Sequence, residues 1–454
     1  MAGPQERITD TMSGADALLW TIGRDPVLRP TVVAVMALDR APSWSDVQTR
    51  IASLTKTVPR FRSHAVSRAP GRGRPQFVED SRFDLDLHLR RIVLPEKSSF
   101  RDVLNVAQVM ATTGFDVELP PWEAVVVEGV DGERGAVIVK LHHALVDGIG
   151  GIAILSHLLD RRRHPPREPT QAEPAPRHHT PRNLLGQLPT PRKVIEEALR
   201  TAADPVAQFD RLLSTATSVA RLLAPAHQPI SALMTGRSSR RSFEAFDLAP
   251  GALKQTATAT GGTVNDVFVA AVVRGLGRYH ELHGSDVGEL RALMPVNVRA
   301  EDDPAGGNHF VPARFVLPVL ADAAACVREV RRITSSWKHA PGLALSDVLA
   351  TGLNLLPAPV VTAMWGSMLK GDDFCVTNVP GPPFETYFAG SRVESFYAFA
   401  PPSGAALNVS LVTPADRSCI GITVDTAAVP DSHRLAACLE DGFGDILGLG
   451  RSPD

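Results

Sequence analysis

The 454-residue sequence has only four cysteines, Cys326, Cys375, Cys419 and Cys438, and none of them forms a Cys-x-x-Cys spacing. This pattern favours free thiols in a reducing compartment over a disulfide framework. Two catalytic signatures are also absent: the Gly-x-Ser-x-Gly elbow of serine hydrolases and the Gly-x-x-x-x-Gly-Lys-Ser/Thr loop of P-loop nucleotide sites. If the protein is an enzyme, its chemistry belongs to another type of motif.

The sequence also lacks an excess of positive or negative charge, and it lacks long apolar runs. With 47 basic and 49 acidic residues the net charge is -2, which provides no general attraction for nucleic acid. Residues 1–30 lack the basic start and continuous apolar stretch of a secretory signal, and no run of about 18 apolar residues suggests a spanning helix. We therefore expect a cytoplasmic protein without a nucleic-acid partner.

The length and composition predict several folded domains. The chain has 44% apolar and 21% charged residues, which is typical of ordinary folded proteins, and it is long enough for two or three domains. Arg161 to Arg182 is nearly devoid of apolar residues and predicts a linker, and Val194 to Leu223 shows a helical period. We predict an N-terminal domain in 1–160, a linker with crossover helices in 161–241 and a C-terminal domain in 242–454.

Both predicted domains mix strands and helices, which makes the predicted fold class α/β. Strands are predicted where apolar and β-branched residues cluster, at Thr31–Leu38, Trp122–Val130, Leu290–Val298 and Phe310–Leu317. Helices are predicted at Ser45–Leu54, Phe100–Thr112 and Val267–Tyr279, the last capped by the segment from Thr263 to Asp266. The segment from Cys375 to Pro383 predicts a strand that runs into a tight turn.

The most apolar segment, Leu353–Leu369, allows two interpretations. Pro357 and Pro359 interrupt it, and it is too short to span a bilayer. It is consistent with an ordinary core helix and also with a helix that lies against lipid or lines an acyl channel.

Two adjacent histidines, His142 and His143, are the most informative feature of the sequence. The run Gly135–Leu141 predicts a buried strand and the run from Gly148 predicts a helix, so the pair lies at a strand-to-helix junction. Because successive strand side chains point to opposite faces, only one histidine can face a given cavity. We take His143 as the candidate general base, since an imidazole accepts a proton near neutral pH. Asp147 and Gly148 are predicted to shape the loop.

Metal binding and dinucleotide binding are two alternative functions for these residues. Zinc would favour histidines one helical turn apart with a third ligand, so we predict no metal site. The segment from Gly148 to Ala153 imitates a dinucleotide-binding fingerprint, but His142 to Asp147 separate it from the strand. From the residues alone, catalysis and core packing remain equally consistent with paired histidines on an apolar strand.

The segment His142-His143-Ala-Leu-Val-Asp147-Gly148 resembles the HHxxxDG signature of CoA-dependent acyltransferases, the superfamily of chloramphenicol acetyltransferase and peptide synthetase condensation domains. Within that superfamily the chain resembles the bacterial wax ester synthase/diacylglycerol acyltransferase (WS/DGAT) family over nearly its whole length. The motifs that carry the resemblance are Met12-Ser-Gly-Ala-Asp16, Pro59-Arg-Phe-Arg62, Phe83-Asp-Leu-Asp-Leu-His88, Pro121-Trp122-Glu123, Asn265-Asp266, Pro295-Val-Asn-Val-Arg299 and Asn378-Val-Pro-Gly-Pro382.

This resemblance implies two chloramphenicol acetyltransferase-like domains, with the histidine motif at a tunnel between them. It implies that His143 deprotonates an acceptor hydroxyl, which attacks the thioester of an acyl-CoA to give a wax ester or triacylglycerol and free CoA. His142, Asp147 and Gly148 complete the implied catalytic motif.

Further site residues follow from the same resemblance. Asn265 and Asp266 would support the site, and Pro121 and Trp122 would help to form the substrate pocket. An oxyanion donor is also required. Asn378 is a candidate for it, and a turn-stabilising Asn is the alternative.

The implied substrates are an acyl-CoA, a co-substrate rather than a bound cofactor, and a fatty alcohol or diacylglycerol. Contact with a membrane surface or lipid inclusion is an expectation, and no oligomeric state is predicted. The chain has Pro120-Pro121-Trp122 where the family usually has Pro-Leu-Trp, which leaves the acceptor open. Two alternatives stay open: a condensation-type enzyme that uses a carrier-protein-bound acyl donor or a natural-product alcohol or amine acceptor, and a lipid-binding or droplet-associated protein without catalysis.

Overall fold

A computed structural model describes residues 8–67, 74–145, 151, 157–164, 228–297, 310–338, 357–415 and 417–451. In these ranges the strands form a seven-stranded, a six-stranded and a three-stranded sheet. Helices pack against the two large sheets, so the fold is mixed α and β, as predicted from the sequence.

The bounds of the elements in these ranges are as follows. The strands are β1 (Ile8–Thr11), β2 (Thr31–Leu38), β3 (Ser63–Val66), β4 (Gln76–Glu79), β5 (Leu89–Val93), β6 (Trp122–Val130), β7 (Arg134–His142), β8 (Leu159–Asp160), β9 (Arg241–Leu248), β10 (Glu289–Asn297), β11 (Phe310–Pro318), β12 (Phe374–Pro380), β13 (Tyr387–Phe388), β14 (Ser391–Phe399), β15 (Leu407–Thr413) and β16 (Ser418–Asp425). The helices are α1 (Gly14–Ile22), α2 (Trp44–Thr57), α3 (Phe100–Thr112), α4 (Ala252–Thr260), α5 (Val264–Leu282), α6 (Ala323–Lys338), α7 (Ala358–Leu369) and α8 (Ser432–Leu447).

The central strands of the seven-stranded sheet are buried on both faces. β7 pairs with β2 on one side and β6 on the other, and residues Ala136–Lys140 are all buried. An uninterrupted apolar run suits such a strand, because core lies on both of its faces. α3 covers one face, where Val103 clusters with Ile138, and α2 covers the other, where Ile51 clusters with Val137.

The seven-stranded sheet contains strands from both halves of the chain. Its order is β5-β6-β7-β2-β14-β13-β8, and β14 pairs antiparallel with β2 from Val393–Leu38 to Phe399–Val33. A strand from the C-terminal half therefore lies beside the strand that neighbours the histidine strand. The predicted domain boundaries at residues 160 and 241 remain predictions.

The six-stranded sheet has the order β11-β10-β12-β15-β16-β9 and carries α5 and α8. α5 is buried around most of its circumference and crosses α8 at two glycines. A Cβ at Gly442 would lie 2.3 Å from the backbone nitrogen of Gly275, so only glycine permits this approach. The large C-terminal core forms around this helix pair.

The start of α5 differs from the prediction. The helix begins at Val264 rather than at Val267, with Thr263 as its N-cap. Thr263 Oγ1 accepts from Asp266 N–H while the Asp266 carboxylate accepts from Thr263 N–H, which forms a capping box. Asp266 thus lies in the first turn, because its reciprocal bond with Thr263 extends the helix toward the N-terminus.

α1 joins the two halves at a small apolar cluster. Ile22 of α1 packs with Val361 and Leu369 of α7 and with Leu293 of β10. α7 covers most of the apolar segment predicted at 353–369, and residues 353–356 lie outside the described ranges. No helix in these ranges is long and apolar enough to cross a membrane. The helices predicted at Val194–Leu223 also lie outside them, as does most of the linker.

Candidate active site

His142 is the last residue of β7, and His143 is the first residue beyond it. The backbone N–H of His142 donates to the carbonyl of Pro121 at 3.0 Å, and that of His143 donates to the carbonyl of Pro30 at 2.9 Å. A turn follows, in which Leu145 N–H donates to the His142 carbonyl at 2.9 Å. The backbone of both histidines is therefore held by chain segments on either side of the strand.

The His142 side chain is 5% exposed and has one defined tautomer. Its Nδ1 accepts a hydrogen bond from Ala144 N–H at 3.1 Å, which leaves the ring proton on Nε2. The ring centroids of Trp20 and Phe115 lie 4.8 Å and 6.1 Å from that of His142. Burial, together with the neighbouring His143, lowers the pKa of His142 to about 3, so the ring is neutral at physiological pH.

His143 has different surroundings from its neighbour. Its side chain is partly exposed, whereas His142 is buried. Adjacent residues of an extended chain project to opposite sides, which accounts for this difference. A base that takes a proton from a substrate needs such access. The role of His143 remains a prediction, and its partial exposure is consistent with that role.

Arg60 holds the turn that follows the histidines. Its Nη1 donates to the carbonyl oxygens of Ala144 at 3.4 Å and Leu145 at 3.3 Å. The same guanidinium donates to Asp10 through Nε at 2.9 Å and lies 3.7 Å from the fully buried Asp16. Two motifs quoted for the family resemblance, those containing Asp16 and Arg60, thus meet at the histidine turn. No role for Arg60 was predicted from the sequence.

Lys140 is a second residue that sequence reasoning missed. It lies two residues before His142, and therefore on the same face of β7, and its side chain is fully buried. Its Nζ donates to Glu123 Oε1 at 2.9 Å and to Thr113 Oγ1 at 2.9 Å. Burial lowers the pKa of Lys140, and Glu123 opposes that shift. A charged residue inside an otherwise apolar strand was the available signal.

Trp122, predicted to form the substrate pocket, lies in the N-terminal core. It is 2% exposed, and its Nε1 donates to the carbonyl of Phe61 at 2.8 Å. Its ring stacks on His88 at 4.7 Å between centroids, and His88 Nδ1 lies 2.8 Å from the Trp122 carbonyl oxygen. Trp122 therefore connects its own motif to those that contain Phe61 and His88, all three of which carry the family resemblance. Pro121 contributes the carbonyl that accepts from His142, and a contact of either residue with substrate remains a prediction.

Asn265 and Asp266 lie at the N-terminus of α5. Asp266 is 3% exposed, and its carboxylate accepts from Thr263 and from Thr334 Oγ1, the latter at 2.9 Å. Asn265 Nδ2 lies 3.4 Å from Met294 Sδ. These contacts stabilise the helix start, and the predicted support of the site by this pair remains a prediction.

Three predicted site residues remain, Asp147, Gly148 and Asn378, and none of them takes part in the contacts described above. Asp147 and Gly148 lie outside the described residues. Asn378 is exposed and lies within β12, where it pairs with Leu411, so it is a strand residue rather than a turn residue. Its use as an oxyanion donor remains a prediction.

Space for a ligand is present on the His142 side of the strand. A cavity of about 1140 Å³ is bordered by His142, by Trp20 and Gly23 near the end of α1, and by Phe115 and Val117 of the loop before β6. Among the residues that the structure describes, no three His, Cys, Asp or Glu side chains lie together so that they could hold a metal ion. The volume of the cavity is sufficient for an organic ligand.

The fold matches solved acyltransferase structures along nearly the whole chain. The wax ester synthase/diacylglycerol acyltransferase from Marinobacter aquaeolei VT8 matches with a TM-score of 0.63 and 20% identity, covering 97% of this chain and 100% of that one. The first condensation domain of the CDA synthetase matches with a TM-score of 0.64 and 16% identity, covering 98% and 97%. The predicted fold class, with chloramphenicol acetyltransferase-like architecture, is thereby confirmed.

Sequence comparisons identify the family within this fold. The family model of the wax ester synthase/diacylglycerol acyltransferase catalytic domain matches residues 12–268, and that of the WS/DGAT C-terminal domain matches residues 306–447. A putative diacylglycerol O-acyltransferase of Mycobacterium tuberculosis is 31% identical over 466 residues, covering 100% of this chain and 94% of the relative. A probable diacylglycerol O-acyltransferase of the same organism is 28% identical, covering 87% and 89%. The chain belongs to the WS/DGAT family and is an acyltransferase.

Proposed function

We propose that this acyltransferase moves a fatty acyl group from acyl-CoA to the hydroxyl of a fatty alcohol or diacylglycerol. The products are a wax ester or triacylglycerol and free CoA. The observation that carries the proposal is the histidine pair at the end of β7, with His142 buried and His143 partly exposed, in a chain that both WS/DGAT family models match.

The proposed reaction needs one base and no covalent enzyme intermediate. His143 takes the proton of the acceptor hydroxyl while the hydroxyl oxygen attacks the thioester carbonyl carbon. The tetrahedral oxyanion is stabilised by a hydrogen-bond donor, for which we propose the amide of Asn378. When the intermediate collapses, the carbon–sulfur bond breaks and the leaving thiolate takes the proton from His143. We propose that acyl-CoA is a co-substrate and that no metal or bound cofactor takes part.

The structure also supports contact with a lipid surface through α7. One face of α7 packs on α1, where Val361 is 1% exposed, while Val360 is 48% exposed on the other side. We propose that this outer face touches the membrane or lipid inclusion that supplies the acceptor. Co-sedimentation with phospholipid vesicles tests this: Val360→Asp should weaken binding several-fold, while Val109→Asp, at a 65% exposed valine of α3, should not. Equal binding of both variants and wild type would contradict it.

The activity is tested by CoA release from palmitoyl-CoA with hexadecanol or dioleoylglycerol as acceptor. We expect turnover by the wild type and at least about a 100-fold loss in His143→Ala, in the range that a positioned general base contributes. An unchanged thermal unfolding midpoint would show that the variant is folded. Activity that survives in a folded His143→Ala protein would remove His143 from its proposed role.

The same assay distinguishes the two alternatives. A condensation-type enzyme would turn over an acyl carrier protein substrate and not acyl-CoA. The condensation domain reported above is 16% identical, whereas curated relatives at 31% and 28% identity carry diacylglycerol O-acyltransferase names, which favours the CoA-dependent reaction. A lipid-binding protein without catalysis would bind acyl chains and release no CoA.

A further inference from the structure

Two buried threonine hydroxyls lie where the two halves of the chain meet. Thr31 is the first residue of β2 and is 7% exposed, and Thr423 belongs to β16 and is 3% exposed. Among the residues that the structure describes, none forms a hydrogen bond with either Oγ1 atom. Because an unpaired buried hydroxyl costs free energy, each of these two groups calls for a partner from outside this set of residues.

Both threonine side chains face the same layer of the structure. Ile422 points into the large C-terminal core, so alternation along β16 places Thr423 on the opposite face, together with Cys419. Thr31 lies on the same face of β2 as Val33, and Val33 and Cys419 belong to one apolar cluster. The two hydroxyls therefore approach this cluster from the two large sheets.

A small cavity lies at this position and is bordered by both threonines. The aromatic rings of Phe243 and Phe399 stack beside it with centroids 4.2 Å apart, and Pro401 closes another side. Its volume of about 20 Å³ exceeds the ~10–15 Å³ that one water molecule needs. It is far below the ~300–1,000 Å³ of sites for organic ligands. The cavity therefore fits a single small molecule or ion.

The charges beside the cavity favour a neutral occupant. Arg241 borders the cavity and is 9% exposed, and its Nη1 lies 3.3 Å from Oδ2 of the buried Asp425. Asp425 follows Thr423 by two residues and so lies on the same face of β16. A small anion would be repelled by this carboxylate, whereas water carries no net charge. Water can also both donate and accept a hydrogen bond, as each hydroxyl can.

We propose that one water molecule occupies this cavity and bridges Thr31 Oγ1 and Thr423 Oγ1, so that both buried hydroxyls are satisfied. β2 belongs to the seven-stranded sheet and β16 to the six-stranded sheet, so the water joins the two sheets. Thr31 is paired with His142 in the register of β2 and β7, which places the bridge one strand away from the histidine pair. This site does not depend on the proposed reaction.

Substitution by valine tests the bridge through the direction of the stability change. Valine has nearly the shape of threonine and lacks the hydroxyl. With the water bound, Thr423→Val removes a hydrogen bond, and we expect the equilibrium constant of unfolding, measured in urea, to rise about fivefold. Thr31→Val should have the same effect. Without the water, valine would remove an unsatisfied group and stabilise the protein. A lower unfolding constant in either variant therefore overturns the proposal.

The double variant Thr31→Val/Thr423→Val shows whether one water serves both hydroxyls. The first substitution already weakens the binding of the water, so the second costs less. We expect a combined rise in the unfolding constant of less than about tenfold, against the about 25-fold of two independent effects. A combined effect equal to the product of the two single effects overturns the shared bridge.

Thr55 of α2 provides the matched control for the double variant. It is 2% exposed, and its Oγ1 donates to the carbonyl of Ala52 at 3.0 Å, so its hydroxyl has a partner within its own helix. Thr55→Val and Thr423→Val share no partner, and we expect their effects on the unfolding constant to multiply. Coupling in this pair equal to that of Thr31 and Thr423 would show that the double variant does not report on the bridge and would overturn it.

A crystal structure of the wild type tests the site directly. We expect one solvent peak within about 3 Å of both Oγ1 atoms, and no such peak in the double variant. No peak in the wild type overturns the proposal. Crystals soaked in sodium bromide distinguish water from an anion: an anomalous bromide peak between the two threonines overturns the assignment to water, and an unchanged solvent peak supports it.

Discussion

The Nζ atom of Lys140 lies 4.4 Å from the centroid of the Phe115 ring, and that ring packs edge-on against His142. A buried ammonium group therefore supports the wall of the cavity through an aromatic side chain. Its other partners, Thr113 and Glu123, fix it from the loop and from the neighbouring strand. The loop before β6 is thus held by one side chain of the histidine strand.

Removal of the Lys140 ammonium group should destabilise both the fold and the cavity wall. For Lys140→Met we expect a loss of about 2–4 kcal/mol in the free energy of unfolding, because Glu123 loses a partner in a partly buried pair. Because the loop relaxes and Phe115 supports the ring of His142, the activity should also fall several-fold. Urea unfolding and steady-state kinetics measure the two effects.

Arg90 provides the control for this variant. It lies 3.5 Å from the same Glu123, but its side chain is 60% exposed. Arg90→Met should cost less than about 1 kcal/mol, as is usual for an exposed ion pair. Equal destabilisation by the two variants would show that burial of Lys140 is not what makes the pair important.

A separate prediction concerns the turn after the histidines. Arg60→Lys keeps a positive charge near Asp10, but a single ammonium group cannot replace the planar guanidinium that also reaches the carbonyls of Ala144 and Leu145. The substitution should displace the turn that follows the histidines and leave the cavity unchanged. We therefore expect kcat to fall about tenfold, with KM for both substrates nearly unchanged. Arg91→Lys, at a half-exposed arginine paired with Glu128, is the control and should leave kcat unchanged.

The helix crossing in the C-terminal half gives a test of the fold. Gly442→Ala should destabilise the protein by about 2–4 kcal/mol or prevent folding, since its Cβ would lie 2.3 Å from Gly275 N and the helices would have to separate. Gly444→Ala on the same helix meets nothing within 4 Å and should stabilise the protein by about 0.5–1 kcal/mol. Chemical denaturation of both variants measures the contrast, and a neutral Gly442→Ala would contradict the crossing.

Local patterns in the sequence predicted the secondary structure well where hydrophobic burial determines the residue types. The apolar runs at Thr31–Leu38 and Trp122–Val130 gave the bounds of β2 and β6, because strands buried on both faces need such runs. The insertion of β14 beside β2 was not predicted, since pairing between distant strands leaves no periodic trace in either of them.

The histidine pair was identified from its motif, and strand alternation predicted that the two side chains have different surroundings. The supporting residues were missed. Lys140 and Arg60 act through contacts with distant segments, up to 85 positions away in the hydrogen bond from Arg60 to Leu145. Such contacts cannot be inferred from the sequence pattern around either residue. The cavity beside His142 was missed for the same reason, because its lining comes from segments scattered between Trp20 and His142.

The buried state of His142 predicts how stability depends on pH. Its pKa is about 3 in the folded protein against an ordinary value of 6.5, so between these values the unfolded chain binds a proton that the folded protein does not. Stability should therefore fall as the pH decreases below about 6.5, with a contribution from this group of about 2 kcal/mol at pH 5.

His142→Gln cannot titrate, so the drop in unfolding free energy between pH 7 and pH 5 should be smaller in this variant by about that amount. A His142→Gln protein that loses as much stability as the wild type over this range would show that His142 is solvated and free to take up a proton in the folded state.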